Sequence, residues 1–282
     1  MTAISFQGQP GAYSDLACRI AFPNMTTLPC ETFEVAIEAV HEGRAQLAML
    51  PPENSLAGRV PDMHALLPNS GLSIIAEKFL RIEHCLLAPH GATLGSIKRI
   101  HSHPVALGQV RNLLRELNAA AVVEYDTAGS AEIVAAKGGV EDAAIASSLA
   151  AELHGLNILR RNVEDATHNT TRFYVMAKTP SKLPPDTPHL MTSFLFRVRN
   201  VPAALYKALG GFATNGVNMT KLESYMVNGS FTATQFLAEV DGHPAQTGLR
   251  LAFEELEFFS TEIKILGTYP ADPFRLAQRA AE

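Results

Sequence analysis

The sequence predicts an α/β protein in two parts: a mainly parallel α/β region followed by a smaller βαββαβ module. Short apolar runs alternate with helical patterns before residue 179, and a shorter pattern with adjacent strands begins after residue 188. Between them, segment 179–188 contains four prolines, which favour an extended spacer. We therefore predict one domain at 1–178, a linker at 179–188 and a second domain at 189–282.

Five apolar runs before the linker are typical of buried strands, at residues 3–6, 47–50, 99–102, 120–125 and 143–146. Helical patterns fall between them. The clearest one follows the spacing i, i+3, i+4, i+7 of a single helix face, at Val110, Leu113, Leu114 and Leu117. Alternating strands and helices predict a mainly parallel sheet, and ligands of such sheets bind beyond the carboxyl ends of the strands.

The pattern after the linker predicts a ferredoxin-like βαββαβ unit. The expected order is a strand at 192–198, a helix at 201–210, a strand ending near 226, a strand at 230–240, a helix, and a strand at 263–268. Asn228-Gly229 predicts a tight hairpin turn, because both residue types tolerate positive φ. The second helix has one apolar face, at Ala245, Leu249, Ala252 and Leu256.

The composition excludes several classes of protein. The chain has 282 residues, of which 47% are hydrophobic and 18% charged, as in a globular protein with a sizeable core. Its formal charge of −5 argues against nucleic-acid and anionic-membrane partners, because both favour a basic face. No apolar run is long enough to span a bilayer, and the N-terminus lacks the features of a secretory signal.

Cysteine and histidine usage predicts a cytoplasmic protein without a metal site. Cys18, Cys30 and Cys85 are widely spaced and include no C-x-x-C pair, so we expect reduced, packed thiols. His101 and His103 have the spacing of a metal-binding pair on a strand. No cysteine or carboxylate stands near them in the sequence, so we expect no metal there.

Three polar segments contain the candidate chemistry. Segment 8–14 places two glycines at the start of a helix, whose free N–H groups can hold an anion. Segment 50–58 brings a glutamate, an asparagine and a serine to the tip of a loop stiffened by two prolines, and segment 163–173 sets polar residues before an apolar strand. A tight turn, a solvated turn and an ordinary capped loop explain the same residue types. Composition alone leaves both interpretations open.

Taken together, these segments resemble the prephenate dehydratase family in order and spacing. Residues 169–173 match the N-x-T-R-F motif of the family, and residues 53–55 match its E-N-S motif. Residues 103–109, 125–132 and 146–156 extend the resemblance, which covers residues 3–178. It implies a two-lobed catalytic domain similar to periplasmic binding proteins, with a cleft between the lobes.

The resemblance also implies a reaction. Prephenate would lose CO₂ and hydroxide to give phenylpyruvate, a lyase step of phenylalanine biosynthesis that needs neither cofactor nor metal. Thr171 is the implied catalytic residue, because its hydroxyl can donate a hydrogen bond that strengthens as charge develops on the leaving oxygen. The residues expected to bind the substrate are Ala12, Tyr13, Ser14, Asn54, Ser55, Gln109, Thr127, Asn169, Thr170, Arg172 and Phe173.

The second domain resembles an ACT domain, a βαββαβ module that binds amino acids. The resemblance implies phenylalanine as allosteric effector and a homodimer or homotetramer. The chain departs from the expected motifs, since Tyr225-Met226 replaces an Arg-Pro pair and Ala203 replaces a glycine. The residues expected at the effector site are Ala203, Ala204, Leu205, Asn218, Leu222, Glu223 and Ser224.

Several alternatives stay open. Arogenate, which carries an amino group in place of the side-chain keto oxygen of prephenate, is the rival substrate. A non-catalytic small-molecule-binding protein is the rival class. Glu53 and Arg172 have no settled role, because a carboxylate beside a dianion is costly unless paired, and adjacent side chains on a strand face opposite ways. His84 and His168 either orient the substrate or are ordinary core or surface histidines.

Overall fold

The computed structural model describes residues 2–137, 139–226 and 233–281. The chain divides into two compact units. The first contains the chain up to Leu67 together with Lys78–Tyr174, and the second contains Pro68–Glu77 and the chain from Val175 onward. In these described ranges, no helix is long and apolar enough to cross a membrane.

The helices and strands alternate along the first two thirds of the chain. In chain order the strands are β1 (Ala3–Gln7), β2 (Thr26–Cys30), β3 (Leu47–Asn54), β4 (Gly58–Arg59), β5 (Ser73–Arg81), β6 (Cys85–Ala88), β7 (Arg99–Ser102), β8 (Ala120–Val123), β9 (Asp142–Ala146), β10 (Asn157–Arg160), β11 (Thr170–Ala177), β12 (Leu190–Val198), β13 (Met219–Met226), β14 (Ala233–Asp241) and β15 (Ser260–Pro270). The helices are α1 (Tyr13–Ala21), α2 (Phe33–His41), α3 (Pro61–Leu66), α4 (Pro104–Gly108), α5 (Arg111–Leu117), α6 (Thr127–Lys137), α7 (Ser148–His154), α8 (Ala204–Thr214), α9 (Thr247–Phe259) and α10 (Pro273–Ala281).

The first sheet has the strand order β2-β1-β3-β11-β5, with β4 paired to β3. β1 runs parallel to both of its neighbours. The hydroxyl of Ser5 in β1 donates to Ala36 O in α2 over 2.7 Å, which attaches this helix to the sheet. The predicted strands at 3–6 and 47–50 are confirmed as parts of β1 and β3.

The second sheet has the strand order β10-β6-β9-β7-β8. β7 is parallel to β8 and β9, but β6 is antiparallel to β9 and β10, so this sheet is mixed where the sequence predicts mainly parallel strands. All five residues of β9 are buried, as expected for a strand covered on both faces. Ala143 and Ile145 pack with α4 and α5, and Ala144 and Ala146 pack with α6 and α7, in the alternation that a strand imposes.

The second unit contains the predicted order βαββαβ, from β12 to β15, and its antiparallel sheet has the order β13-β14-β12-β15. One face carries an aromatic core in which Phe194 stacks on Phe212 and meets Phe253 edge-on. The predicted helix with Leu249, Ala252 and Leu256 on one face is confirmed as α9, whose buried residues include all three.

Some boundaries differ from the predictions. The helix predicted at 201–210 begins three residues later, because Ala203 has φ +62° and so lies outside the helical region. α10 follows β15 and was absent from the predicted order. The predicted turn at Asn228-Gly229 and the start of the strand predicted at 230–240 lie outside the described residues. The structure describes all of residues 178–189, and they contain no helix or strand. The domain limits 1–178 and 189–282 stay predictions.

Candidate active site

A cavity of about 650 Å³ lies in the first unit, at the ends of strands from both of its sheets. β1 and β3 from the first sheet lead into helices and loops that reach the cavity, and the segments after β7 and β8 reach it from the second sheet. Thr171 and eight of the eleven residues expected to bind substrate line the cavity. The eight are Ala12, Tyr13, Ser14, Asn54, Gln109, Thr127, Asn169 and Phe173.

The other three residues expected to bind substrate do not line the cavity, which differs from the prediction. The Ser55 hydroxyl donates to His168 O over 2.8 Å and accepts from the backbone N–H of Thr170 over 2.9 Å, so the Ser55 side chain and the Thr170 backbone connect the 50–58 loop to β11. Arg172 is 3% exposed, donates to Glu53 Oε1 over 2.8 Å, and stacks 4.8 Å from the centre of the Tyr174 ring. These residues brace the loop that carries Asn54.

The side-chain amide of Asn54 is oriented by the backbone of its own loop. Its Oδ1 accepts from the N–H groups of Leu56 over 2.9 Å and Ala57 over 2.8 Å. Because a backbone N–H only donates, the amide oxygen must face these groups and Nδ2 must face the other way. Nδ2 donates to Asn169 Oδ1 and to Thr171 Oγ, both over 2.9 Å, which uses both of its protons.

The hydroxyl of Thr171 therefore acts as a donor toward the cavity. Its oxygen already accepts from Asn54, and none of the described residues accepts its proton. Thr171 also lines the cavity, so this proton is available to a bound molecule. A donor placed in this way can stabilise negative charge that develops on a bound oxygen.

A chain of side-chain amides continues away from Thr171. We call Asn54, Asn169 and Gln109 the amide chain. Asn169 Nδ2 donates to Gln109 Oε1 over 2.9 Å, and His84 Nε2 lies 2.8 Å from the same oxygen. On the other side of the imidazole ring, the Tyr13 hydroxyl lies 2.6 Å from His84 Nδ1.

Burial sets the protonation state of the two residues at the end of this chain. Burial lowers the pKa of His84 below its ordinary value, although the Gln109 hydrogen bond and the charge of Glu164 oppose the shift. Burial also raises the pKa of Tyr13 well above its ordinary value, with the nearby charge of Cys85 adding to the effect. Near neutral pH the histidine is therefore neutral and the tyrosine keeps its proton.

The groups that can attract an anion to the cavity are backbone N–H groups and not basic side chains. Among the described residues that line it there is no lysine or arginine. Helices α1 and α6 begin at the cavity with Tyr13 and Thr127. The N-cap residue of α1, Ala12, has no side-chain acceptor, so the N–H groups of Tyr13 and Ser14 can bind an anion. Four acidic residues also line the cavity: Glu31, Glu34, Asp62 and Asp126.

The two histidines with metal-like spacing have separate environments. His101 is buried, with its ring nitrogens 2.8 Å from Glu124 Oε1 and 3.0 Å from Asp142 Oδ1. His103 lines the cavity and accepts from Val105 N over 3.2 Å at the start of α4. The carboxylates beside His101 come from neighbouring strands and are distant along the chain, so sequence spacing could not reveal them.

Comparison with known proteins identifies the family. The family model described as prephenate dehydratase matches residues 4–181. The chain belongs to the prephenate dehydratase family. It is 65% identical over 272 residues to a bifunctional N-acyl-homoserine lactone acylase/prephenate dehydratase of Komagataeibacter europaeus, covering 96% of this chain and 97% of that protein. It is 38% identical to arogenate dehydratase/prephenate dehydratase 2 of Arabidopsis thaliana, covering 95% of this chain and 73% of that protein.

A solved structure supports the same assignment. Prephenate dehydratase from Arthrobacter aurescens, crystallised in complex with L-Phe, superimposes with a TM-score of 0.86 at 29% identity, and the match covers 99% of this chain and 97% of that one. Membership of the prephenate dehydratase family makes this chain an enzyme, a carbon–oxygen lyase. The alternative of a non-catalytic binding protein is therefore set aside.

The residues expected at an effector site lie in the second unit. Ala203 caps α8 with positive φ, Ala204 is buried, and Leu205 packs against the aromatic core. Asn218 donates to Asp241 Oδ2 over 2.9 Å. The other three lie on β13 and are Leu222, Glu223 and Ser224. Leu222 is exposed, and Glu223 forms an ion pair with Lys221.

Proposed function

We propose that this chain is a prephenate dehydratase that converts prephenate to phenylpyruvate, with Thr171 assisting the departure of the ring hydroxyl. The supporting observation is the hydrogen bond from Asn54 to Thr171, in which the threonine oxygen accepts, so that its proton stays available to a molecule in the cavity. A threonine hydroxyl is a weak acid, so it acts by a hydrogen bond that strengthens in the transition state.

The proposed step conserves atoms and charge. The bond from the ring to its carboxylate breaks, CO₂ departs, and the electron pair enters the ring. The bond from the opposite ring carbon to its hydroxyl breaks at the same time, and the ring becomes aromatic. The leaving oxygen, held by Thr171, takes up one proton and departs as water. One prephenate dianion and one proton thus give phenylpyruvate monoanion, CO₂ and water, without a redox step.

The dianion is held by neutral donors in this proposal. The N–H groups of Tyr13 and Ser14 at the start of α1 receive one carboxylate, since no basic side chain lines the described cavity. Thr127 at the start of α6 and the free amide protons of Gln109 supply further donors. Ser55, Thr170 and Arg172 act indirectly by bracing the Asn54 loop.

The test measures phenylpyruvate by its absorbance in alkali. We expect wild-type protein to turn prephenate over, and T171A to lower kcat by about 10²- to 10⁴-fold with an unchanged melting temperature. T171S keeps the hydroxyl and retains most of the activity. T167A is the matched control, because Thr167 lies in the same loop but is exposed and outside the cavity lining. Equal kcat values for wild type and T171A would remove Thr171 from the mechanism.

Prephenate and arogenate need a direct comparison. The Arabidopsis thaliana relative is named for both substrates, which differ only by a keto oxygen or an amino group on the side chain. We propose prephenate as the preferred substrate and expect its kcat/KM to be the larger of the two. A larger value for arogenate would reassign the substrate and leave the role of Thr171 intact.

A second activity is suggested by the Komagataeibacter europaeus relative, whose name combines prephenate dehydratase with N-acyl-homoserine lactone acylase. Identity of 65% over nearly the whole of both chains is the observation that favours it. The test is release of homoserine lactone and free fatty acid, measured by mass spectrometry, from wild type and T171A. Release by both proteins would assign amide hydrolysis to groups other than Thr171, and release by neither would exclude the activity.

We also propose that the second unit is an ACT domain that binds phenylalanine. Support comes from its βαββαβ order and from the relative of Arthrobacter aurescens, which was crystallised with L-Phe. Titration calorimetry with L-Phe, and prephenate turnover with and without millimolar L-Phe, test this against D-Phe as control. Heat and kinetics that do not respond to L-Phe would contradict it. A cytoplasmic location and a homodimer or homotetramer stay predictions.

A further inference from the structure

We propose that His84 and Tyr13 are positioning residues of the reaction, which hold in place the amide chain that contacts the Thr171 hydroxyl. This inference rests on the proposed role of Thr171. Both residues line the cavity, so direct contact with substrate is the competing explanation. The hydrogen-bond directions and a test of coupling distinguish the two.

The directions of the hydrogen bonds along the amide chain can be assigned in order, starting at Asn54. Because the Asn54 amide oxygen faces two backbone donors, its nitrogen donates to Asn169 Oδ1, and Asn169 must then donate through Nδ2 to Gln109 Oε1. An oxygen that faces His84 Nε2 can only accept, so Nε2 must carry a proton. In a neutral imidazole the other nitrogen, Nδ1, is then an acceptor, so the single proton of the Tyr13 hydroxyl points to Nδ1 over 2.6 Å and not to the more distant acceptor Glu83 O at 3.2 Å.

Tyr13 stabilises this tautomer by donating to Nδ1, and this tautomer is the one that matches the direction of the amide hydrogen bonds. If His84 carried its proton on Nδ1, its bare Nε2 would require a donor and Gln109 would have to turn its amide nitrogen toward the ring. Asn169 would then face a nitrogen in place of the oxygen it donates to now. The Asn54 amide, still oriented by Leu56 N and Ala57 N, would lose Asn169 as one of its two acceptors, and the position of the group that donates to Thr171 would be less well fixed.

The environment of the pair keeps this state over the working pH range. His84 is neutral because burial lowers its pKa, and Tyr13 remains protonated because burial raises its pKa. The histidine is also held by its backbone, whose N–H donates to Glu164 Oε2 over 2.9 Å. The ring of Tyr13 meets the imidazole edge-on, with 5.5 Å between their centres, so Y13F can remove the hydroxyl and retain the packing.

The experiment is a set of double-mutant cycles on prephenate turnover. We expect Y13F to lower kcat about 10-fold and H84L about 10- to 100-fold, with KM changed less than about threefold. H84Q places an amide donor near the position of Nε2 and should recover kcat to within about threefold of wild type. H90Q, at an exposed histidine outside the cavity lining, is the matched control and should match wild type.

Coupling to Thr171 gives the decisive outcome. In a T171A background, Y13F and H84L should cause no further loss of the residual kcat, because the hydroxyl that they orient is gone. Full additivity in that background, or a rise in KM with unchanged kcat, would overturn the proposal in favour of direct substrate contact. Equal losses in H84L and H84Q would also overturn it. An unchanged kcat in T171A alone would instead contradict the proposed function, so the two failures are distinguishable.

Discussion

Asn54 Nδ2 donates to Thr171 Oγ over 2.9 Å, and this bond directs the threonine proton away from Asn54. In N54D a carboxylate, which only accepts, would replace the donor and take the Thr171 proton for itself. We expect kcat to fall by about 10²- to 10⁴-fold in N54D. N54A removes the orienting bond without competing for the proton, so its loss should be smaller, about 10-fold. Steady-state kinetics check the order, and an N54A that is slower than N54D would contradict it.

The buried guanidinium of Arg172 makes a separate prediction about stability. R172K keeps the charge but loses the planar group that stacks on Tyr174 and pairs with Glu53. We expect the free energy of unfolding to fall by about 2 kcal/mol, measured by urea denaturation. R160K is the matched control, because Arg160 pairs with Glu116 at the surface and should change by less than about 0.5 kcal/mol. Equal losses of unfolding free energy in R172K and R160K would show that burial does not increase the contribution of Arg172 to stability.

Much of the architecture could be predicted because strand and helix periods are local properties. The apolar runs at 99–102 and 143–146 correspond to β7 and β9, and the face at Leu249, Ala252 and Leu256 corresponds to α9. The resemblance also identified Asn54, Asn169, Thr171 and Phe173 as site residues, and all four line the cavity, because motif order carries information that composition lacks.

Side-chain direction could not be predicted in the same way. Arg172 turns away from the cavity and pairs with Glu53 on a neighbouring strand. Because Glu53 lies 119 residues earlier in the sequence, local spacing could not predict this pair. His84 has no distinguishing spacing in the sequence, and its contacts come from Tyr13 at the start of α1 and from Gln109 directly after α4. The antiparallel direction of β6 could not be predicted either, because strand pairing depends on tertiary contacts and not on the sequence of the strand alone.

Ala203 occupies a backbone conformation that suits glycine. Its φ of +62° is left-handed, which costs an L-residue about 1–2 kcal/mol. A203G removes that cost but adds entropy to the unfolded chain, so we expect a net gain of about 0.5 kcal/mol in urea unfolding. A208G, in the interior of α8 and buried, should instead lose about 1 kcal/mol. Destabilisation by both variants would show that the left-handed position is not strained.

Asp142 predicts how stability depends on pH. The Arg99 guanidinium, assisted by His101, lowers the pKa of this buried carboxyl from 3.8 to about 2. A lowered pKa means that the folded state favours the ionised form, so the stabilisation is complete above about pH 5 and is lost as the pH falls toward 2. We expect D142N to cost about 2 kcal/mol at pH 7 and roughly half as much at pH 3, measured by urea unfolding.

The control for this prediction is the neighbouring carboxylate. Glu141 is 42% exposed on its side chain and pairs with Lys98 at the surface, where solvent screens the charges. E141Q should therefore change the free energy of unfolding by less than about 1 kcal/mol. Asp142 should contribute more to stability than Glu141, because it is buried and accepts from Arg99 through both oxygens, over 2.7 and 3.0 Å. It also accepts from His101 on the adjacent strand. If D142N kept its full cost at pH 3, the loss would come from packing and not from the ionised carboxylate.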